Sequence, residues 1–228
     1  MKKFTSPGQP EKMKPRIKVC CIASIAEAKM AINFGADALG LVGRMPSGPG
    51  PIGDELIARI ARAVPPPVAT FLLTSETAAG EIALHHHRVQ TNTIQLVDAL
   101  AEGTYHDLRR LLPNVKIVQV IHVLDEKSVE EAVQISEQVD ALLLDSGNPN
   151  LKVKELGGTG RTHDWRLSQK IVEQSNVPVF LAGGLNASNV REAIEAVQPY
   201  GLDLCSGVRT NGDLDEKKLE AFFRAAWS

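Results

Sequence analysis

Eight times in succession, a short apolar run is followed by a stretch with helical periodicity. The apolar runs fall at 17–20, 38–42, 68–73, 93–96, 116–123, 141–144, 177–181 and 202–204. The helical stretches fall at 24–34, 54–64, 77–87, 104–112, 126–139, 165–174, 189–197 and 215–227. The runs are short and do not alternate with polar residues, which predicts strands buried on both faces, as in a parallel sheet covered by helices. Gly35 sits where a helix C-terminus favours glycine, and Pro65-Pro66-Pro67 ends the second helix. Eight units within 228 residues predict a single-domain α/β protein, a closed (β/α)8 TIM barrel rather than an open doubly wound sheet; such barrels need about 200 residues or more. No linker divides the chain. The expected barrel domain is 16–228, preceded by a polar, lysine-rich leader at 1–15 read as disordered. The longest connection, 146–163, follows strand six and is long enough for a lid or binding loop.

Charge and composition narrow the function. The formal net charge is -2, which argues against nucleic acid as the main partner, since such domains usually carry a basic patch. No apolar run approaches the roughly 18 residues of a membrane span, and the N-terminus lacks the apolar stretch of a signal peptide. Three cysteines, two of them adjacent, do not make a disulfide framework, and a reducing cytoplasm is the expected compartment. The ligand class is therefore a small molecule, with monomer and homodimer both compatible.

In such barrels the site lies at the C-terminal ends of the strands. The strand ends present Cys20, Gly40, Leu73, Gln95, His122, Asp145, Gly183 and Ser206. A phosphate needs several converging backbone N–H groups with no side chain in the way. Gly183-Gly184 after strand seven and Ser206-Gly207 after strand eight occupy the loops where barrels commonly hold phosphate; taken together they favour a phosphate cradle over ordinary tight turns. Asp145 is either a general acid with a pKa raised by desolvation or a carboxylate that caps a loop or pairs with a cation. Cys20 is either a thiolate base or nucleophile or, the commoner fate of a free cysteine, a small buried hydrophobe. Strand alternation puts Cys20 and Cys21 on opposite faces, so that at most one points inward. His85-His86-His87 is expected to be a solvated helix end and not a metal site, because adjacent helical residues diverge by about 100°. His122 is the histidine best placed for a functional role, and His163 reads as a loop residue near the site. No CxxC, HExxH or GxxxxGK[ST] pattern is present.

From Ile17 to Phe223 the chain resembles the phosphoribosylanthranilate isomerases of tryptophan biosynthesis. Lys18-Val19-Cys20-Cys21-Ile22 is similar to the family's opening Lys-Ile-Cys-Gly-Ile/Leu, and Gly35-Ala36-Asp37-Ala38-Leu39-Gly40-Leu41-Val42 to its Gly-Ala-Asp-Ala-x-Gly-Phe-Val. Gly157-Gly158-Thr159-Gly160 through Asp164-Trp165, then Gly183-Gly184-Leu185-Asn186 and Ser206-Gly207-Val208, complete the likeness. The resemblance implies a (β/α)8 barrel without metal or organic cofactor, acting on a phosphorylated sugar. The implied reaction is an Amadori rearrangement, an aldose–ketose type isomerisation, with Asp145 as acid at the ring oxygen and Cys20 as base at the sugar C2. It also implies phosphate binding by Gly158, Gly160, Gly183, Gly184, Ser206 and Gly207.

Three positions depart from the family pattern. The glycine after the catalytic cysteine is Cys21 here. No arginine sits near Gly50, and Arg44 is the candidate for the substrate carboxylate instead. The family's Gln-Leu-His-Gly is Gln95-Leu96-Val97-Asp98. The alternatives are a related barrel isomerase acting on another phosphosugar, or a non-catalytic phosphosugar-binding protein.

Overall fold

The computed structural model describes residues 14–147 and 162–228. Within them, eight parallel strands close into a barrel in sequence order: β1 Arg16–Val19, β2 Ala38–Val42, β3 Ala69–Thr74, β4 Thr93–Leu96, β5 Lys116–His122, β6 Ala141–Asp145, β7 Val179–Leu181 and β8 Gly201–Leu204. The helices that follow them are α1 Ile25–Asn33, α2 Asp54–Ala63, α3 Ala79–Val89, α4 Tyr105–Leu111, α5 Glu126–Ser136, α6 Trp165–Gln174, α7 Val190–Val197 and α8 Glu216–Trp227. The barrel closes where β8 pairs with β1, with Arg16 opposite Gly201 and Val19 opposite Leu204.

Strand alternation sorts the apolar residues into two cores. One set, including Ile17, Val19, Leu39, Leu41, Leu142 and Leu144, points outward and packs beneath the helices with residues such as Ile57, Ile82 and Phe222. The other set, including Ala38, Phe71, Val118, Leu143 and Phe180, fills the barrel interior. Helix starts are set locally. Ser24 accepts a 3.1 Å bond from the Glu27 amide, and Thr104 and Asp125 form capping boxes with Asp107 and Ser128. Such caps are worth about 1 kcal/mol each.

Some boundaries differ from expectation, for identifiable reasons. The seventh strand begins at Val179 rather than at 177, since Pro178 has no N–H to give to the ladder. The third helix begins at Ala79 rather than at 77, because the Thr77 carbonyl accepts from Ala101 and Ala78 bridges to Glu102. The histidine run also differs. His85 and His86 are buried, His85 between Thr74 Oγ1 and Asp54 Oδ1 at 3.1 Å each, and His86 against the Thr91 carbonyl at 2.6 Å. They fasten α3 to the barrel, and only His87 of the three is exposed.

Candidate active site

The pocket at the C-terminal mouth is lined by residues from seven of the strands and their loops. Cys20, Cys21, Gln95, Asp145, Asp203 and Ser206 supply its polar surface, and Val42, Met45, Leu73, Val97 and Leu143 its apolar wall. Gly183 and Gly184 also line it. Seven of the sequence-derived candidates therefore concern one locality: Cys20, Asp145, Gly183, Gly184, Ser206 and Gln95 line it, and Gly207 follows directly on Ser206.

Cys20 and Cys21 both face this pocket, so the expectation that at most one points inward is corrected. The reason is local: β1 ends at Val19, and Cys21 adopts φ 62°, which breaks the alternation. The turn is held from behind by Arg209. Its Nη2 donates to the carbonyls of Cys20 and Cys21 at 3.2 and 2.6 Å, while its Nη1 pairs with Glu27 at 2.9 Å.

Lys18, one alternation below Cys20, is fully buried inside the barrel. Its Nζ donates to Asp203 Oδ1 at 2.7 Å and lies 5.3 Å from the centre of the Phe71 ring. Burial opposes the charge, but the Asp203 carboxylate outweighs it and holds the Lys18 ammonium above its usual range. A hydrogen bond from Cys21 and the charge of Lys18 outweigh burial at Cys20 and hold its thiol below the ordinary value. Gly40 makes room for this arrangement. A Cβ there would stand 2.7 Å from Cys20 Sγ and 3.2 Å from Lys18 Nζ.

Asp145 ends β6 in register with His122 and is buried. Desolvation pushes its carboxyl above the usual range, against the Ser146 amide, which donates to Oδ1 at 2.7 Å, and against the charges of His122 and Lys18. Asp203 is also raised by burial, with Lys18 opposing and Asp145 adding to the rise. One ammonium thus serves two buried carboxyls. It bonds Asp203 at 2.7 Å and acts on Asp145 through its charge alone. The result is a carboxyl raised by burial and a thiol held below its ordinary value in one pocket, a pairing typical of acid–base sites.

The β7 and β8 loops meet at Gly207, where a Cβ would lie 2.0 Å from the Leu185 carbonyl oxygen. Gly183 and Gly184 turn with φ 87° and 64°. The Gly184 carbonyl is held by the side-chain amides of Asn186 and Asn189 at 3.2 and 3.0 Å. Ser206 opens a short 3-10 turn, Ser206–Val208.

Other candidates lie elsewhere. Gly158 and Gly160, with most of the connection expected to act as a lid, fall outside the described residues. Arg44 is exposed and does not line the pocket. His122 bonds the Val97 carbonyl at 3.1 Å, and His163 bonds Ser168 at 2.6 Å with its pKa pushed down to about 4 by burial. Gln95 is buried, and among the described residues its Oε1 has no hydrogen-bond partner, which leaves an acceptor at the pocket. Sequence reasoning missed Lys18, Asp203, Glu27 and Arg209. The first two carried a legible signal, charged residues in phase with Cys20 and Cys205 inside apolar strands. Arg209 and Glu27 are 182 positions apart and carried none.

Fold and pocket together are those of a (β/α)8-barrel isomerase. A family model described as N-(5'-phosphoribosyl)anthranilate (PRA) isomerase matches residues 17–225, and the chain belongs to this family. It is 38% identical over 213 residues to N-(5'-phosphoribosyl)anthranilate isomerase 2 of Methanosarcina mazei, covering 92% of this chain and 93% of the relative. Among solved structures, phosphoribosyl anthranilate isomerase from Thermotoga maritima superposes with a TM-score of 0.78 at 30% identity, covering 93% of this chain and 98% of that one. A phosphoribosyl anthranilate isomerase in complex with reduced 1-(o-carboxyphenylamino)-1-deoxyribulose 5-phosphate superposes with a TM-score of 0.75 at 28% identity over the same shares.

Proposed function

We propose that the protein converts N-(5'-phosphoribosyl)anthranilate to 1-(2-carboxyphenylamino)-1-deoxyribulose 5-phosphate by general acid–base catalysis. Asp145 gives its proton to the furanose ring oxygen as the ring opens, and Cys20 removes the proton from the sugar C2 to form the enol, which rearranges to the 1-amino-2-ketose. The observation that carries this reading is that a carboxyl raised by burial and a thiol held below its ordinary value line the same pocket. The phosphate lies against the amides of Gly183, Gly184, Ser206 and Gly207, and the unpartnered Gln95 Oε1 accepts from a sugar hydroxyl. The anthranilate ring packs on Val42, Met45, Leu73 and Val97. Purified protein should turn over this substrate and restore growth of a tryptophan auxotroph lacking the step; absence of both refutes the reading.

A second reading, an isomerase for a phosphosugar bearing another substituent, is favoured by one observation. Among the described residues lining the pocket there is no arginine or lysine to meet the anthranilate carboxylate. Arg44→Ala separates the two readings: if Arg44 swings in to bind the carboxylate, KM rises at least about tenfold, the value of one lost charge-assisted bond.

A further inference from the structure

Cys21 holds a backbone conformation, φ 62°, that costs a non-glycine residue roughly 1–2 kcal/mol and costs glycine nothing. Strain kept beside a pocket points to a task for the side chain. The Cys21 sulfur lies 2.7 Å from Cys205 Sγ, within an ångström of the roughly 2.05 Å of a disulfide bond, yet both are free thiols. They follow the ends of β1 and β8, which pair with Val19 opposite Leu204, so joining them links two chain segments that are already neighbours. Cys20 is a poor partner for Cys21. Adjacent Cα atoms stand about 3.8 Å apart, closer than the roughly 4.4–6.8 Å of disulfides. Nor is this a metal cluster: among the described residues no three such side chains converge on a cation site. Both residues line the pocket, and Cys205 is the more exposed.

We propose that Cys21 and Cys205 are a reversible disulfide site that lowers the activity of the adjoining Cys20–Asp145 pair. The effect on turnover rests on the function proposed above; formation of the bridge does not. The oxidant is a low-molecular-weight disulfide of the glutathione class. Cys205, as thiolate, attacks it, its S–S bond breaks, and one thiolate leaves. Cys21, as thiolate, then attacks the Cys205 sulfur and expels the second. Two protein thiols are oxidised, the reagent is reduced to two thiols, and these take up the two protons released. Hydrogen bonds with Cys20 and Cys205, with burial, push the Cys21 thiol up, which makes Cys205 the entry point and Cys21 the resolving partner. The bridge acts on the base because Arg209 Nη2 grips the carbonyls of both Cys20 and Cys21. It acts on the phosphate turn because Ser206 follows Cys205.

The test incubates the full chain with oxidised glutathione, then counts free thiols, maps disulfides by mass spectrometry without reduction, and measures kcat/KM. The expected result is a fall from three free thiols to one and a cross-linked peptide pair containing Cys21 and Cys205. Turnover should fall about tenfold or more, given that ångström misplacements cost up to about 10²-fold, and dithiothreitol should restore it. Cys205→Ser and Cys21→Gly should each show no cross-link and the same turnover before and after oxidation; Cys21→Gly also returns glycine to the left-handed position. Three persisting thiols, or a bridge that involves Cys20, overturn the site. A mapped Cys21–Cys205 bridge with unchanged turnover overturns the switch. Failure of the reduced protein to turn over the substrate is seen separately and bears on the proposed function, while the thiol count and the map still decide the bridge.

Discussion

Gly40→Ala tests the packing behind the proposed base. The added methyl would lie 2.7 Å from Cys20 Sγ, 3.1 Å from Cys20 Cα and 3.2 Å from Lys18 Nζ. Carbon and sulfur need about 3.5 Å or more to avoid repulsion, so the thiol must move by close to an ångström. Rotation of the thiol alone does not relieve the clash, because the methyl also crowds the Cys20 backbone at Cα. Misplacement of this size costs up to about 10²-fold in rate, or ~2.7 kcal/mol of transition-state stabilisation. Overpacking adds about 1–3 kcal/mol of lost stability. Steady-state kinetics and a thermal melt read both effects, with kcat falling far more than the phosphate affinity. Gly80→Ala is the control: a Cβ there meets nothing within 4 Å, and alanine within α3 should raise stability by roughly 0.5–1 kcal/mol. Gly40→Ala with kcat within twofold of the parent would refute the claim that Cys20 is held in a tight, productive position.

Two further outcomes follow from the site. Gly207→Ala forces a methyl to within 2.0 Å of the Leu185 carbonyl, so the β7 and β8 loops must part; KM and the inhibition constant of inorganic phosphate should both rise at least about tenfold, the value of one charge-assisted bond, and unchanged phosphate inhibition counts against the cradle. The second concerns pH. Because burial raises Asp145, the folded state binds more protons than the unfolded one between the ordinary carboxylate pKa and the raised one, so this group's contribution to stability falls as pH rises through that window. Asp145→Asn removes that fall, and denaturant midpoints should show the variant gaining on the parent from pH 4 to pH 7; a constant difference would mean that Asp145 is not raised.

Much of the barrel was legible because its physics is local. Strands buried on both faces write continuous apolar runs such as 141–144, and each was followed by a helix with a readable start, as at Ser24 or Thr104. Boundaries failed where tertiary partners decided them, as at Thr77, whose carbonyl is taken by the chain near 101. Cys20 and Asp145, the proposed reacting groups, and the glycine turns were legible because strand ends converge in this architecture. What tunes them was not. The Lys18–Asp203 pair spans 185 positions, and the Arg209 clamp on the Cys20–Cys21 turn spans 189 and 188. The inward turn of Cys21 required a positive φ that the alternation of β1 gave no reason to expect.

The most direct measurement is kcat for the parent, Cys20→Ser and Asp145→Asn on N-(5'-phosphoribosyl)anthranilate, with phosphate inhibition measured alongside. Lost acid or base catalysis costs about 10²–10⁴-fold, so each variant should lose kcat on that scale while inorganic phosphate still inhibits with near-parent affinity. Turnover retained in both variants, or none in the parent, would contradict the acid–base assignment.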